Sequence, residues 1–136
     1  MKYMLDTNIC IALIRQKSPV ILRNLVSHSP GDVGISSITL AELIHGAEKS
    51  EQRDRNITAL QEFTLPLKLA DFDQQAAYTY GKIRADLERS GQVIGSMDML
   101  IAAHARALNI ILVTNNTREF QRVGDLELED WMKNKE

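Results

Sequence analysis

The chain has 136 residues, 44% hydrophobic and 25% charged, which is the size and makeup of one domain spanning 1–136 and excludes a globally disordered protein. Sixteen Lys and Arg against eighteen Asp and Glu give a formal net charge of −2, which argues against a protein that coats nucleic acid by bulk positive charge. The single cysteine, Cys10, can form no intrachain disulfide, Met1 to Asp6 carries no hydrophobic signal core, and no stretch approaches the roughly 20 apolar residues that span a bilayer. The expectation is a reduced, cytoplasmic protein with no membrane association.

In chain order, Tyr3-Met4-Leu5 reads as a short buried strand, followed by the helix-opening cluster Asp6-Thr7-Asn8 and the apolar run Ile9 to Ile14. Pro19 suits the first turn of a second helix running toward His28, and Ser29-Pro30-Gly31-Asp32 marks a turn before a strand over Val33 to Ser36. Ser37 then caps a helix with Leu40, Leu43, Ile44 and Ala47 on one side and Glu42 roughly opposite. Glu51 to Asn56 form a charged turn or helix start before Ile57 to Phe63, and Pro66 to Ala70 looks like another short strand.

Asp71 and Asp73 open a long amphipathic helix, with Ala76, Tyr80, Ile83 and Leu87 on its apolar side, ending near Gly91. Gly95-Ser96-Met97-Asp98 introduces a helix through Ala105 that is apolar nearly all round and should be buried. Ile110-Ile111-Leu112-Val113 is the most strand-like run, a continuous apolar block of the kind found in a parallel sheet covered on both faces, ended by Thr114-Asn115-Asn116. Strands alternating with helices predict an α/β sandwich with a short, mostly parallel sheet, which binds ligands beyond the carboxyl ends of its strands.

Three acids interrupt apolar sequence: Asp6 directly after the first strand, Glu42 within Ile38 to Ile44, and Asp98 at the mouth of the apolar helix. Singly, each has a bland reading. Asp6 and Asp98 can satisfy free amides of a helix first turn, at about 1 kcal/mol each, and an isolated Glu42 is usually a solvated side chain. Carboxylates converging at one sheet end, however, repel one another unless a cation sits between them. Oxygen ligands without accompanying His or Cys suit Mg²⁺ better than zinc, and the chemistry that follows is phosphoryl transfer.

The ordered residues carry a resemblance that covers the whole chain. They run from Met4-Leu5-Asp6-Thr7-Asn8 through Ser36 to Leu43 and Gly46 to Ser50, then Gly95-Ser96-Met97-Asp98, Ile101 to Ala105, Val113 to Phe120 and Glu129-Asp130-Trp131. This order resembles the PIN-domain ribonucleases, specifically the VapC toxins of bacterial type II toxin–antitoxin pairs. The resemblance implies a three-layer α/β/α fold, dependence on Mg²⁺ or Mn²⁺, and hydrolysis of RNA phosphodiester bonds to 5′-phosphate and 3′-hydroxyl ends. It places Asp6, Glu42 and Asp98 as metal-binding and catalytic acids. Where the family often has a fourth acid, this chain has Asn116, with Glu119 three residues on, and the sequence leaves open which of the two completes the site.

The resemblance further implies an RNA substrate, most often a tRNA anticodon stem-loop, a cognate VapB-type antitoxin, a homodimer, and operator DNA bound only through the antitoxin. Thr7 and Thr114 are expected to hydrogen-bond the acids. Lys82, Arg84, Arg89, Arg106, Arg118 and Arg122 form a candidate phosphate-gripping rim, while His28, His45 and His104 lack metal-ligand spacing and Trp131 is expected to pack. Two other readings compete. One is a different Mg²⁺-dependent phosphotransfer domain, weakened because the residue two after Asp6 is Asn8 and not an acid; the other is a catalytically weak PIN-like module that only binds a basic partner.

Overall fold

Short apolar strands, each delivering the chain into a helix, build one central sheet. The computed structural model describes residues 1–16 and 18–133. Its strands are β1 (Tyr3–Leu5), β2 (Val33–Ser36), β3 (Lys68–Ala70), β4 (Ile111–Val113) and β5 (Leu128–Glu129). They lie in the order β3-β2-β1-β4-β5, and every neighbouring pair is parallel. The helices are α1 (Thr7–Ile11), continued by a π-helical turn (Ala12–Gln16), α2 (Pro19–Val26), α3 (Ser37–Glu48), α4 (Arg53–Thr64), α5 (Gln74–Ser90), α6 (Ser96–Leu108) and α7 (Thr117–Phe120).

Strand alternation divides the interior into two cores. Leu5 and Val113 face one side, with Ile9, Cys10, Ile21, Leu43, Leu60 and Trp131; Met4 and Leu112 face the other, with Ile83, Leu87, Met99, Ile101 and Phe120. Adjacent strand residues point to opposite faces, so a core on each side of one sheet is the three-layer α/β/α arrangement. Gly34 has no room for a side chain, because a Cβ there would overlap the Lys68 carbonyl and the Met1 sulfur.

Local chemistry shifts several expected boundaries. Ser36, the last residue of β2, caps α3 by accepting from the Ile38 N–H at 3.0 Å, so Ser37 is already helical. Asp73 alone caps α5, its Oδ1 accepting from Ala76 N–H at 3.0 Å, and Gly91 closes that helix in the left-handed region at φ 69°. In α3 the buried line is Thr39, Leu43 and Ala47; Ile44 is exposed and Glu42 lies half-buried on the flank, not opposite the apolar side. Helix α6 is buried over Met99 and Ile101 to Ala105, as its composition predicts. Strand β5 and helix α7, too short to carry a periodic pattern, are features that only the structure reveals.

Candidate active site

The strand order reverses between β1 and β4, where an open parallel sheet leaves a crevice beyond its carboxyl ends. Asp6 follows β1 directly and is 3% exposed. It caps α1, its Oδ1 accepting from Ile9 N–H at 2.9 Å, and the hydroxyl of Thr114, the residue after β4, also hydrogen-bonds its carboxylate. Burial nonetheless dominates and pushes the Asp6 pKa from 3.8 to about 6, with Glu42 and Asp130 adding repulsion. Asp130 arrives because β5 pairs with β4 at Val113 and Glu129, which places the next residue at the same sheet end.

Glu42 is held by Thr7, whose hydroxyl donates to its Oε1 at 2.7 Å. Asp98 stands in the first turn of α6, and its pKa also rises from 3.8 to about 6, through burial first and then through Glu119, Asp6 and Glu42. Glu119 stands beside Asp98, where its negative charge disfavours the ionised form of Asp98. Glu119 is fixed further by the Gly95 N–H, donating to its Oε1 at 3.0 Å, and by the Asn116 amide, donating to its Oε2 at 2.5 Å. Of the two candidates for the fourth position, Glu119 therefore brings its carboxyl to the other acids, while Asn116 acts on Glu119.

Asp6, Glu42 and Asp98 share a cleft of about 640 Å³ with Asn8, Arg15, His45 and Lys49. Among the described residues none of Asp6, Glu42, Asp98 or Glu119 forms an ion pair with a lysine or arginine. Nor do three or more Asp, Glu, His or Cys side chains among the described residues stand close enough together to hold a metal ion as a group. An open set of hard oxygen donors fits Mg²⁺ or Mn²⁺, ions that accept one or two carboxylates directly and keep water in their remaining positions. Burial raises these carboxyl pKa values most, and a cation would relieve the repulsion that adds to it.

None of the six residues expected as a basic rim lines this cleft. Arg84 contacts the Tyr80 hydroxyl at 2.9 Å and Glu88 at 3.7 Å, and Arg89 pairs with Asp86 at 3.0 Å. Lys82, Arg106 and Arg122 line a separate pocket. The cations beside the acids are Arg15 and Lys49, which the sequence did not single out because neither stands in a conspicuous pattern. His104 is buried, its Nδ1 bonded to Ser36 Oγ at 2.8 Å, as befits a structural histidine. Trp131 is fully buried and stacks on His28 with ring centroids 5.0 Å apart. No helix among the described residues is long and apolar enough to cross a membrane.

Comparison with known proteins agrees with this geometry. The PIN domain family matches residues 3–126. The tRNA(fMet)-specific endonuclease VapC of Shigella flexneri is 49% identical over 131 residues, covering 96% of this chain and 98% of that protein. The structure of DNA-bound VapBC from Salmonella typhimurium superposes with a TM-score of 0.91 at 45% identity, over 96% of this chain and 98% of the other. VapBC2 from Rickettsia felis, bound to a DNA fragment from the promoter, gives 0.90 at 42% identity, over 96% and 99%. With a PIN-domain fold and near full-length relatives of this similarity, the chain belongs to the VapC ribonucleases of the PIN-domain family.

Proposed function

We propose that residues 1–136 act as one catalytic unit, a metal-dependent endoribonuclease toxin that hydrolyses tRNA in its anticodon stem-loop and so stops translation. The observation that carries this reading is the convergence of Asp6, Glu42, Asp98 and Glu119 at the switch point of the sheet, two of them with pKa values raised to about 6 and none neutralised by a basic side chain among the described residues. The relative in Shigella flexneri is described as acting on tRNA(fMet), which supports a tRNA substrate.

Asp6 and Asp98 would hold a Mg²⁺ or Mn²⁺ ion with Glu42 nearby, and the ion would polarise a phosphate and make a water acidic enough to attack it. The chain's own contribution is position. Thr114 and the Ile9 N–H favour the ionised form of Asp6, and Thr7 fixes the Glu42 carboxylate. Asn116 and Gly95 orient Glu119 beside Asp98. Attack of water on phosphorus with departure of the 3′ oxygen leaves a 5′-phosphate and a 3′-hydroxyl, and it needs no ribose 2′-OH.

The related VapBC structures, both bound to DNA, support a cognate antitoxin; operator DNA reached through that antitoxin and a homodimeric toxin complete the proposed assembly. An apolar groove lined by Ile11, Ile14, Leu43, Ala47 and Leu60 shares Arg15, Glu42 and Gly46 with the acidic cleft. An antitoxin segment lying there would reach the acids with a basic side chain, which is the charge complementarity the cleft calls for.

The deciding experiment compares Asp6→Asn and Asp98→Asn with the unaltered protein in Mg²⁺, on total tRNA, followed by sequencing of the new 5′ ends. Loss of cleavage in both variants, with 5′-phosphate ends in the unaltered protein, is the expected outcome. Undiminished rates in both variants, or 2′,3′-cyclic phosphate ends, would sink the assignment.

A further inference from the structure

Three of the basic residues absent from the acidic cleft meet in a second place. Lys82 on α5, Arg106 on α6 and Arg122 just beyond α7 line a pocket of about 270 Å³ whose floor includes Ile83 and Val123. Lys82 makes no ion pair or hydrogen bond among the described residues. The Arg106 side chain is only 21% exposed, yet its sole ion pair among the described residues is a 3.9 Å contact with Asp125, itself 91% exposed. Arg122 spends one guanidinium donor on the Val93 carbonyl at 3.4 Å. Of the two acids in the pocket, Asp86 is held by Arg89 at 3.0 Å, which leaves Asp125 as the one loosely placed anion.

A largely buried guanidinium keeps most of its five donors available, and planar donor pairs match a phosphate. The pocket also adjoins the acids through one short segment: Val93, which accepts from Arg122, lies two residues before Gly95, whose N–H binds Glu119. Arg106 is eight residues beyond Asp98 on the same helix, about 12 Å of axial rise. That separation is one that a few nucleotides of RNA backbone span.

We propose that Lys82, Arg106 and Arg122 form a backbone-phosphate site that grips the RNA strand a few nucleotides away from the bond cut at the acidic cluster. The pocket offers no aromatic platform and reads no base, so it adds affinity for length and not for sequence. It displaces Asp125 from Arg106 when occupied. The proposal rests on the ribonuclease reading above and makes a separate demand on it.

The test uses the full chain and two RNAs, a trinucleotide too short to reach the pocket and an anticodon stem-loop. Cleavage of both by the unaltered protein tests the ribonuclease reading alone. Lys82→Ala, Arg122→Ala and the pair together are then compared with Arg84→Gln, which removes a charge from the same helix outside the pocket. The double variant is expected to lower kcat/KM on the stem-loop relative to the trinucleotide by about tenfold, through KM. The slope of log affinity against log salt, measured by fluorescence anisotropy in Ca²⁺, should fall by about 0.7 for each lost phosphate contact on a single strand. Arg84→Gln should change neither reading. An unchanged ratio and salt slope in the double variant, with the unaltered protein cutting both RNAs, overturns the phosphate site and leaves the ribonuclease reading standing. Loss of antitoxin binding with unchanged RNA affinity overturns it equally, in favour of a protein contact.

Discussion

Asp6 should cost the fold stability at the pH where the protein acts, and Asp6→Asn should restore it. The carboxyl is 3% exposed and its pKa is raised from 3.8 to about 6, chiefly by burial. A shift of that size corresponds to about 3 kcal/mol of penalty on the ionised form. Between pH 3.8 and 6 the folded state binds more protons at this site than the unfolded state, so this contribution to stability is complete at low pH and is lost as pH rises through about 6. Asparagine keeps the cap on the Ile9 N–H, because Asn caps as well as Asp, while the Thr114 hydroxyl must turn to accept, at a cost of about 1 kcal/mol. The net gain is about 2 kcal/mol at pH 8, equivalent to a rise in Tm of roughly 6–8 °C for a chain of this size, and it turns into a loss of about 1 kcal/mol at pH 3.5. Thermal and urea unfolding of both proteins in EDTA at the two pH values measures it. If Asp6 is a ligand of the proposed ion, added Mg²⁺ should raise the Tm of the unaltered protein and not that of the variant. Equal stability at pH 8, or a gain that does not vary with pH, would refute the argument that Asp6 is a strained buried carboxylate.

Three further outcomes follow from particular contacts. Thr7→Val removes the donor that fixes Glu42 at 2.7 Å and should lower kcat by about tenfold with little change in Tm, read by single-turnover cleavage. His104→Leu leaves Ser36 without its 2.8 Å partner and should destabilise by about 1–3 kcal/mol in urea titrations. Burial lowers the His104 pKa from 6.5, so the unfolded state binds the proton more readily and this residue's contribution is lost as pH falls below about 6.5; the loss should disappear in the leucine variant. Gly34→Ala sets a methyl against the Lys68 carbonyl of the neighbouring strand and should cost about 3 kcal/mol or more, seen as a fall in the urea midpoint.

Asp6 and Asp98 were legible because each is a charge set against an apolar block, one after a strand that must be buried and one before a helix that must be. The apolar runs themselves declared the three layers: a continuous stretch such as Ile110 to Val113 can satisfy both of its faces only under helices. Glu42 was visible as an anomaly, but its placement opposite the apolar side was wrong, because Thr39 and not Ile44 takes the buried position of α3. Of the expected basic rim, Lys82, Arg106 and Arg122 gather in a separate pocket, since spacing along α5 says nothing about which end of the sheet that face looks toward.

The sequence by itself determined the α/β class, the parallel sheet and the two acids that flank its switch point, because burial and helix capping are local demands written in neighbouring residues. Tertiary structure alone decided that Glu119 and not Asn116 carries the fourth carboxyl to Asp98, that Asp130 acts on Asp6, and that Arg15 and Lys49 stand beside the acids while Lys82, Arg106 and Arg122 gather elsewhere. Those facts depend on how β5 registers against β4 and how α5, α6 and α7 pack, and the repulsion among these carboxylates exists only once strands far apart in the chain end side by side.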